Sequence, residues 1–594
     1  MRFYLSLFLL LSGPAIFAQG FLKANGTKLE HGSNKNVLLR GMGLGGWMLQ
    51  EPYMLQLSGY SPAQYDIRKK ISALVGKPKT ADFYEAWLNN HCTKADIDSL
   101  ASWGFNSVRL PMHFNLYTLP VEKEPVAGKQ TWLNKGFALT DSLLKWCKAN
   151  KIYLILDLHA TPGGQGNDVA IADRDSTLPS LWDSRANQVK TIALWKKLAT
   201  RYAKEEWIGG YDLINEPNWG FENKDDKNGA AEKTNIPLKK LLQEITAAIR
   251  TVDKHHLIFI EGNCWANNFN GIFPLWDKNM AISFHKYWNY TDDASIRGFI
   301  EQREKFNVPV WMGETGENSN TWFTGAVQLF ERNNIGWCMW PLKKTGLNNP
   351  LQVKINPGYQ AILDYWKGKG NKPSATDATT ALMQFARDTK NENNIVHLDV
   401  ADAMIRQVQL DAALPFKQNR VSNDVILFGS DYDIGRSGMA YHDKDSAEYW
   451  VATTKRTPWN TGGLYRNDGV DIEKCMDKIS NGYNVGWIQD GEWLQYTVFA
   501  ENASAYDVNV RFAAVHDGAT VQLLLNDQPA GDQLSLNATG DYQTWKTASI
   551  KNIPLVKGWN RLRLLAVRGG FNLNYLQFTV PGATAQHQPA TEKK

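Results

Sequence analysis

The sequence is poor in cysteine, and this narrows the kinds of protein that it can encode. Its 594 residues contain five cysteines: Cys92, Cys147, Cys264, Cys338 and Cys475. The number is odd and the spacings match neither a zinc site nor a disulfide-rich scaffold. One bridge between two of these cysteines is compatible with an oxidising compartment. Cysteine chemistry therefore gives no guide to function.

Runs of one charge and long apolar stretches are also scarce. Lys and Arg number 65 against 60 Asp and Glu, a net charge of +5, and the basic residues do not cluster. Nucleic acid is therefore not an expected partner. Beyond the N-terminus, no stretch reaches the roughly 18–20 uncharged residues of a membrane-spanning helix.

The first residues have the layout of a secretory signal peptide. Arg2 precedes the apolar stretch 5–11, and small residues follow up to Gln19. We therefore predict a signal peptide over residues 1–18 and a secreted or periplasmic protein. We also expect a monomer without a membrane span.

Aromatic residues are abundant, with 23 Trp and 22 Tyr in the chain. In an exported protein such side chains serve either as core packing or as flat platforms on which sugar rings stack. We expect a mixture of both.

The sequence from residue 36 to 345 alternates strand-like apolar runs with amphipathic segments of helical length. Eight such cycles predict an α/β fold, a closed (β/α)8 TIM barrel with the helices outside. The predicted strands are Val37–Leu44, Ser107–Pro111, Tyr153–His159, Tyr211–Asn215, Leu257–Gly262, Ala281–Tyr287, Val308–Glu314 and Gly336–Pro341. An open doubly wound sheet is the alternative, but no glycine-rich phosphate loop follows the first strand.

The residue composition and the apolar pattern of the sequence change after Trp366. Residues 371–420 combine a linker-like stretch with a helical extension, and short alternating strands with Asn-Gly-type turns follow. We predict a catalytic barrel over 19–370, an all-β sandwich (jelly roll) over 421–581 and a disordered tail over 582–594. The linker-like break suggests that the sandwich is a separable module.

Functional groups stand at the carboxyl ends of most predicted barrel strands, which is where barrel active sites are built. Two of them are the carboxylates Glu216 and Glu314, on strands four and seven, and a carboxylate pair is the minimum needed to cleave a glycosidic bond. The others are Arg109, His159, Asn215, His285, Tyr287 and Trp340.

The stretches Gly104–Pro111, Leu156–His159, Asn215–Pro217, His285–Tyr287 and Gly313–Glu314, together with Trp340, are similar in order and spacing to the signatures of glycoside hydrolase family 5, a retaining family of clan A. The resemblance covers residues 21–370. It implies that Glu216 is the general acid/base and Glu314 the nucleophile. It also implies that Arg109, His159, Asn215, His285, Tyr287 and Trp340 support them, with no metal or cofactor needed for catalysis.

The chemistry of glycosidic bond cleavage requires the same two roles of the glutamates. Glu314 must be ionised to attack the anomeric carbon, for which Arg109 and Tyr287 are suitable neighbours. Glu216 must hold a proton at rest and release it to the leaving group. Asn215 suits the 2-hydroxyl of the sugar, and Trp340 suits stacking beneath the ring.

The stretches Gly43–Pro52 and His159–Gln165 look like the branch of the family that includes β-1,3-glucanases. We therefore expect a β-glucan polysaccharide or oligosaccharide as substrate. Mannan or xylan hydrolysis by the same fold remains an alternative, as does a non-catalytic polysaccharide-binding protein. A metal-dependent barrel hydrolase is a further class, but His159 and His285 are isolated from other ligand residues. The linkage and exo or endo action stay open.

Residues 422–580 resemble carbohydrate-binding module family 6, through stretches such as Asn484–Ile488, Gly491–Tyr496 and Gly570–Tyr575. In that family two aromatic side chains sandwich a sugar and an asparagine binds its hydroxyls. The matching residues here are Trp487, Trp545 and Asn572, with Asn574 as second choice. The family also holds a structural calcium, but Ser430 stands where a glutamate usually binds it, which leaves calcium occupancy open.

Overall fold

The computed structural model describes residues 20–287, 290–448 and 459–582. The predicted signal peptide and the tail beyond residue 582 lie outside the described residues. No helix in these described ranges combines the length and the apolarity that crossing a membrane requires.

The N-terminal half is a closed barrel of eight parallel strands, which confirms the predicted fold class. Each strand pairs with the next along the chain, and the eighth closes on the first. The strands are β1 (Arg40–Gly43), β2 (Ser107–His113), β3 (Tyr153–Ala160), β4 (Ile208–Asp212), β5 (Ile258–Glu261), β6 (Met280–Tyr287), β7 (Val310–Gly316) and β8 (Gly336–Trp340).

Helices surround the barrel and fill the connection to the second domain. They are α1 (Gln64–Asn90), α2 (Lys94–Trp103), α3 (Asn134–Asn150), α4 (Val169–Ala172), α5 (Arg185–Tyr202), α6 (Ile236–Arg250), α7 (Asn263–Ala266), α8 (Arg297–Phe306), α9 (Asn320–Arg332), α10 (Pro357–Trp366), α11 (Ala375–Asp388), α12 (Leu398–Met404) and α13 (Arg406–Gln409). The sequence pattern did not predict α1, because Gly76, at φ 81°, and Pro78 break its helical geometry and its apolar period.

The inside of the barrel changes from apolar to charged along the strands. Near the start of β3, Tyr153 and Ile155 belong to an apolar cluster that also includes Phe259 of β5 and Trp311 of β7. Two residues further along β3, Asp157 lies within 3.2 Å of the guanidinium of Arg109. Alternate residues of a strand share a face, so the inward-facing residues of one strand can be apolar near its start and charged near its carboxyl end.

The C-terminal domain contains two six-stranded sheets. Its strands are β9 (Asn419–Val421), β10 (Val425–Phe428), β11 (Tyr441–His442), β12 (Ile472–Lys474), β13 (Tyr483–Val485), β14 (Trp493–Ala500), β15 (Ser504–Ala514), β16 (Ala519–Leu525), β17 (Gln528–Leu536), β18 (Lys546–Leu555), β19 (Gly558–Arg568) and β20 (Phe571–Thr579). One sheet has the order β9-β14-β19-β16-β17 with β11 on β14, and the other has β12-β13-β20-β15-β18 with β10 on β20.

Both sheets contribute to one apolar core. Val498 and Leu564 of the first sheet and Val508 and Phe578 of the second belong to the same buried cluster. This is the packing of a sandwich, in which inward residues from two sheets share a core.

The segment between the domains is helical and packed. Residues 367–374, which read as a linker in the sequence, form a short connection between α10 and α11. These two helices pack on each other, α11 also packs on α1, and α12 packs on α9. The chain therefore stays against the barrel until about residue 410.

Candidate active site

A tight turn after β4 places Glu216 at the mouth of the barrel. The strand ends at Asp212, and Glu216 follows in a left-handed conformation with φ 41°. Its backbone N–H donates to Oε2 of Glu261 at 2.6 Å, while Gln165 Nε2 donates to the carbonyl of Asn215 at 2.8 Å. A non-glycine residue holds such a conformation only where its surroundings determine it, and here β5 and the loop after β3 do so.

A bulge in β7 turns Glu314 into the barrel. Trp311 points inward, so strict alternation gives the next inward position to Gly313 and points Glu314 outward. The pairing with β6 shifts by one residue here, with Phe284 opposite Met312 but His285 opposite Glu314. An added Cβ on Gly313 meets Ser283 Oγ at 2.0 Å, so glycine is needed where the bulge brings the strands together.

The two glutamates face each other across a pocket of about 910 Å³. Glu216, His285 and Glu314 each contribute a ligand-type atom, and these atoms lie within 4.8 Å of one another. Both glutamates are about 5% exposed. The predicted carboxylate pair is thus brought together at the carboxyl end of the strands.

Both carboxylate oxygens of Glu314 accept hydrogen bonds. Arg109 Nη1 donates to Oε2 and the hydroxyl of Tyr287 donates to Oε1, each at 2.8 Å. Burial raises the pKa of Glu314 and so does the Glu216 charge, whereas His285 and Arg109 act in the opposite direction. The two predicted neighbours therefore do contact Glu314.

His285 links Glu216 to a third carboxylate. Its Nδ1 lies 2.6 Å from Oε1 of Glu216, and its Nε2 lies 3.3 Å from Oε1 of Glu261. Burial alone lowers the pKa of His285, but the charges of Glu261 and Glu216 outweigh it and raise this pKa well above the ordinary value. These charges favour the protonated ring of His285, in which Nδ1–H donates to Glu216.

A layer of buried carboxyl groups, which the sequence reasoning missed, surrounds Arg109 below the pair. The guanidinium lies 3.2 Å from Asp157, 3.0 Å from Asp212 and 2.9 Å from Glu261. Burial raises the pKa of Asp157 and Asp212 well above the ordinary range. Burial also acts to raise the pKa of Glu261, but His285 and Arg109 bring it down to about 2. Asp157 and Glu261 stand at strand ends like the predicted residues, which is the signal that could have revealed them.

His159 and Asn215 form the side of the site next to Trp340. Burial lowers the pKa of His159 to about 3, so the ring is neutral. Its Nδ1 lies 2.6 Å from Asp157, which leaves Nε2 to accept from Asn215 Nδ2 at 3.3 Å. Asn215 Oδ1 accepts from Arg109 at 2.7 Å, so its amide orientation is determined by its partners. The rings of His159 and Trp340 are stacked, 5.3 Å apart.

The loops after β1, β7 and β8 add further residues to the pocket wall. Trp340 Nε1 donates to the hydroxyl of Tyr53 at 3.0 Å, and Lys344 Nζ donates to Glu317 at 2.5 Å. Burial raises the pKa of Glu51 well above its ordinary value, helped by nearby carboxylates. Further wall residues are Gln56, Asp168, Trp265, Asn267 and Asn348.

Several tryptophans lie near the ends of barrel strands, and the structure separates those that line the pocket from those that pack elsewhere. Trp265 lines the pocket, whereas Trp219 is half-buried beneath Arg174. Trp47 and Trp322 are buried, at 1% and 3% exposure, so they are packing residues in this structure. Trp288 lies outside the described residues.

On the sandwich, two of the predicted sugar-binding residues lie close together. Trp487 is 48% exposed, and an added Cβ on its neighbour Gly486 meets Oδ1 of Asn572 at 3.2 Å. Asn572 Nδ2 donates to Glu473 at 2.7 Å and to the carbonyl of Tyr542 at 2.8 Å. Tyr542 is 45% exposed and was not predicted.

The other two predicted residues are Trp545 and Asn574. Trp545 is half-buried, and its Nε1 is fully buried. Asn574 is buried, and its Nδ2 donates to Asp477 at 2.9 Å and to the carbonyl of Ile479 at 2.8 Å. Asn572 is also buried, at 2% exposure, and its Nδ2 likewise has two partners, so only its position near the exposed Trp487 favours it for a sugar contact.

The residues around Ser430 do not fit the calcium site that the resemblance implies. Ser430 Oγ accepts from Asn481 Nδ2 at 2.9 Å, and Lys417 Nζ lies 2.9 Å from Oδ2 of Asp431. Calcium prefers carboxylate and carbonyl oxygens, and here an ammonium group already neutralises the adjacent carboxylate.

A parallel barrel that presents two facing carboxylates from its fourth and seventh strands defines an O-glycoside hydrolase. Residues 69–346 match the model of the cellulase family, glycosyl hydrolase family 5, and residues 464–580 match that of carbohydrate binding module family 6. The protein is thus a glycoside hydrolase with a family 5 catalytic domain followed by a family 6 module.

Curated relatives are similar to this chain over about half of its length. A "Beta-xylosidase" of Phanerodontia chrysosporium is 26% identical over 379 residues, which span 58% of this chain and 75% of the relative. "Glucan 1,3-beta-glucosidase 1" of Schizosaccharomyces pombe is 23% identical over 378 residues, 55% of this chain and 87% of the relative. "Endoglucanase C" of Acetivibrio thermocellus is 25% identical over 324 residues, 44% of this chain and 87% of the relative.

Proposed function

We propose that this protein hydrolyses β-linked glucan with retention of configuration, by a double displacement in which Glu314 is the nucleophile and Glu216 the acid/base. The observation that carries the proposal is the distance of no more than 4.8 Å between their facing carboxylate oxygens. Retaining enzymes hold the two carboxyl groups about 5–5.5 Å apart, whereas inverting enzymes need roughly 6.5–9.5 Å to admit a water molecule.

In the first step, an oxygen of Glu314 attacks the anomeric carbon while the bond to the leaving oxygen breaks. Arg109 and Tyr287 hold Glu314 by one oxygen each, which orients it for attack. The leaving oxygen takes a proton from Glu216, and His285 supplies that proton to Glu216 through the 2.6 Å hydrogen bond, which leaves the imidazole neutral.

In the second step, water attacks the anomeric carbon of the glycosyl-enzyme and Glu216 accepts its proton. The ester bond to Glu314 breaks, and the carboxylate returns to its hydrogen bonds with Arg109 and Tyr287. We assign to Asn215 the contact with the 2-hydroxyl of the sugar, which strengthens in the transition state. The scheme uses no metal ion or organic cofactor.

For the substrate, we propose a β-1,3-glucan or a related β-glucan. The support is the likeness of the stretches 43–52 and 159–165 to the β-1,3-glucanase branch, together with relatives that are named glucan 1,3-beta-glucosidases. A β-xyloside is the second candidate, because a relative that spans 58% of the chain is named a beta-xylosidase. The sandwich would bind the same polysaccharide through Trp487 and Asn572. We also propose that the protein is exported.

Proton NMR of the products tests the mechanism and the substrate together. We expect the β-anomer to appear first on a β-1,3-glucan, with slower or no turnover of β-1,4- and β-1,6-glucans, mannan and xylan. Aryl β-glucosides and β-xylosides, compared at equal concentration, decide between the two sugar classes. An α-anomer appearing first would refute retention and with it the role of Glu314 as nucleophile.

A further inference from the structure

The loop that follows the nucleophile connects the pocket to the second domain. Residues 317–319 join the end of β7 to α9, and Glu317 lines the pocket. Glu317 has φ 54°, a left-handed conformation that a non-glycine residue keeps only under constraint. Asn318 and Ser319 are fully buried.

A sandwich residue, Asn467, binds this loop directly. Asn467 Nδ2 donates to the carbonyl of Asn318 at 2.9 Å and to Oδ1 of Asn320 at 3.0 Å. The backbone N–H of Asn320 donates to the carbonyl of Asn467 at 2.8 Å. Close by, Ser319 Oγ donates to the carbonyl of Ala447 at 2.5 Å. Two segments of the sandwich domain therefore bind the loop and the first residue of α9 through four hydrogen bonds.

Asp399, in α12, contacts both Asn320 and Asn467. We call the contact formed by Asp399, Asn320, Arg466 and Asn467 the joint. Its Oδ2 accepts from Asn320 Nδ2 at 2.8 Å and from the backbone N–H of Asn467 at 3.0 Å. The guanidinium of Arg466 lies 3.7 Å from the same oxygen. Each of these four side chains is at most 5% exposed.

Burial makes these contacts decisive for the conformation of the loop. A buried amide or carbonyl that loses its partner cannot turn to water, so the loop must shift to find another one. Within the barrel, Glu317 is tied to Lys344 on the pocket side. Lys344 of the barrel therefore holds the loop on the side that faces the pocket, and the sandwich domain holds it on the side away from the pocket.

We infer that the sandwich domain acts, through Asn467, as a positioning element for the catalytic site, because it sets the loop that carries Glu317 and follows Glu314. This inference rests on the proposed function and goes beyond it. A tethered binding module changes only the local concentration of polymer. A positioning element also changes turnover of small substrates, because a displacement of about 1 Å in an active site can cost large factors in rate.

The test compares two full-length variants that each remove a buried sandwich asparagine. Asn467→Ala removes the joint. Asn560→Ala is the matched control, because Asn560 is 1% exposed and, among the described residues, its side chain bonds only to Val556 and Gly558 of a hairpin in the sandwich. Both are assayed on a soluble aryl β-glycoside well below their melting temperatures.

We expect Asn467→Ala to lower kcat about tenfold with little change in KM, and Asn560→Ala to stay within about twofold of the wild type. The acid limb of the kcat/KM profile should move to lower pH in Asn467→Ala only, because a looser loop admits water and relieves the burial that raises the pKa of Glu314. Equal kcat and equal pH profiles in the two variants would overturn the inference. If Asn467→Ala does not fold, Asn467→Ser carries the same comparison.

Hydrogen exchange gives a readout that does not depend on activity. We expect amides of residues 316–322 to exchange at least tenfold faster in Asn467→Ala than in Asn560→Ala. If the wild type hydrolyses none of the glycosides, the proposed function fails and this measurement still decides the inference. Unchanged exchange in the loop would refute it.

Discussion

Replacing Arg109 with methionine removes the guanidinium at the centre of the buried carboxyl layer. Arg109 is completely buried and donates to Asp212 at 3.0 Å, to Glu261 at 2.9 Å and to Glu314 at 2.8 Å. Methionine matches much of the length of the side chain but donates no hydrogen bond. The change therefore leaves buried acids without their cation while disturbing the packing little.

The expected cost follows from burial. Removing one partner of a buried ion pair costs about 3–5 kcal/mol, because the remaining charge stays in the interior without compensation. Asp157 and Asp212 add little to this cost, since burial raises the pKa of each and favours the neutral acid. The cost lies with Glu261, whose pKa is lowered to about 2, and with Glu314. For a domain of this size, about 2 °C per kcal/mol gives a fall in Tm of about 6–10 °C.

Calorimetry of the full chain and the pH profile of kcat/KM measure the two consequences. Arg109 lowers the pKa of Glu314, so its removal raises that pKa further. Glu314 acts as a carboxylate, so activity is lost as the pH falls through its pKa. The acid limb of the profile should therefore move to higher pH in Arg109→Met, with a large loss of kcat at every pH.

Arg40→Met is the matched control. Arg40 also lies on a barrel strand and pairs with Glu331 at 2.7 Å, but its side chain is 37% exposed. Exposed pairs contribute roughly 0–1 kcal/mol, so this variant should lose about 2 °C or less and keep the acid limb in place. If Arg109→Met melts as close to the wild type as Arg40→Met does, Arg109 does not compensate the buried acids and the reasoning is wrong.

Two further predictions concern the roles of individual residues. Glu314→Ala should abolish turnover, and azide should restore it with a glycosyl azide of inverted configuration, whereas Glu216→Ala should spare the first step for dinitrophenyl glycosides, whose leaving groups need no acid; exchanged behaviour would exchange the two roles. Trp487→Ala should abolish oligosaccharide binding in titration calorimetry while Tm moves by about 1 °C or less, because the ring is 48% exposed; a large fall in Tm would identify Trp487 as a packing residue.

The barrel and the position of its site could be predicted because each rests on a local pattern. Eight apolar runs separated by helical segments specify a closed parallel sheet, and the carboxyl ends of such strands meet at one face. Glu216, Glu314, His285 and Tyr287 all stand at those ends, and the structure brings them together.

The features that the sequence did not predict depend on contacts between residues far apart in the chain. No local sequence pattern indicates such contacts. The bulge at Gly313 is a mismatch in register between two neighbouring strands, and without it Glu314 points out of the barrel. Glu261 closes strand five but has no motif around it, so its bonds to the turn at Glu216 become visible only in the fold. The hydrogen bond between Asn467 and Asn320 joins residues 147 positions apart, and a linker-like stretch lies between them in the sequence.

The buried carboxyl layer determines how much of the Arg109 charge is available to Glu314 in the proposed mechanism. Burial favours the neutral form of Asp157 and Asp212, so these acids do not consume the charge of Arg109. Glu261 is ionised and faces the imidazolium of His285, which leaves Arg109 to stabilise the carboxylate of Glu314. In the proposed mechanism the Nδ1 proton of His285 passes to Glu216 as Glu216 protonates the leaving oxygen, which leaves His285 as a neutral imidazole.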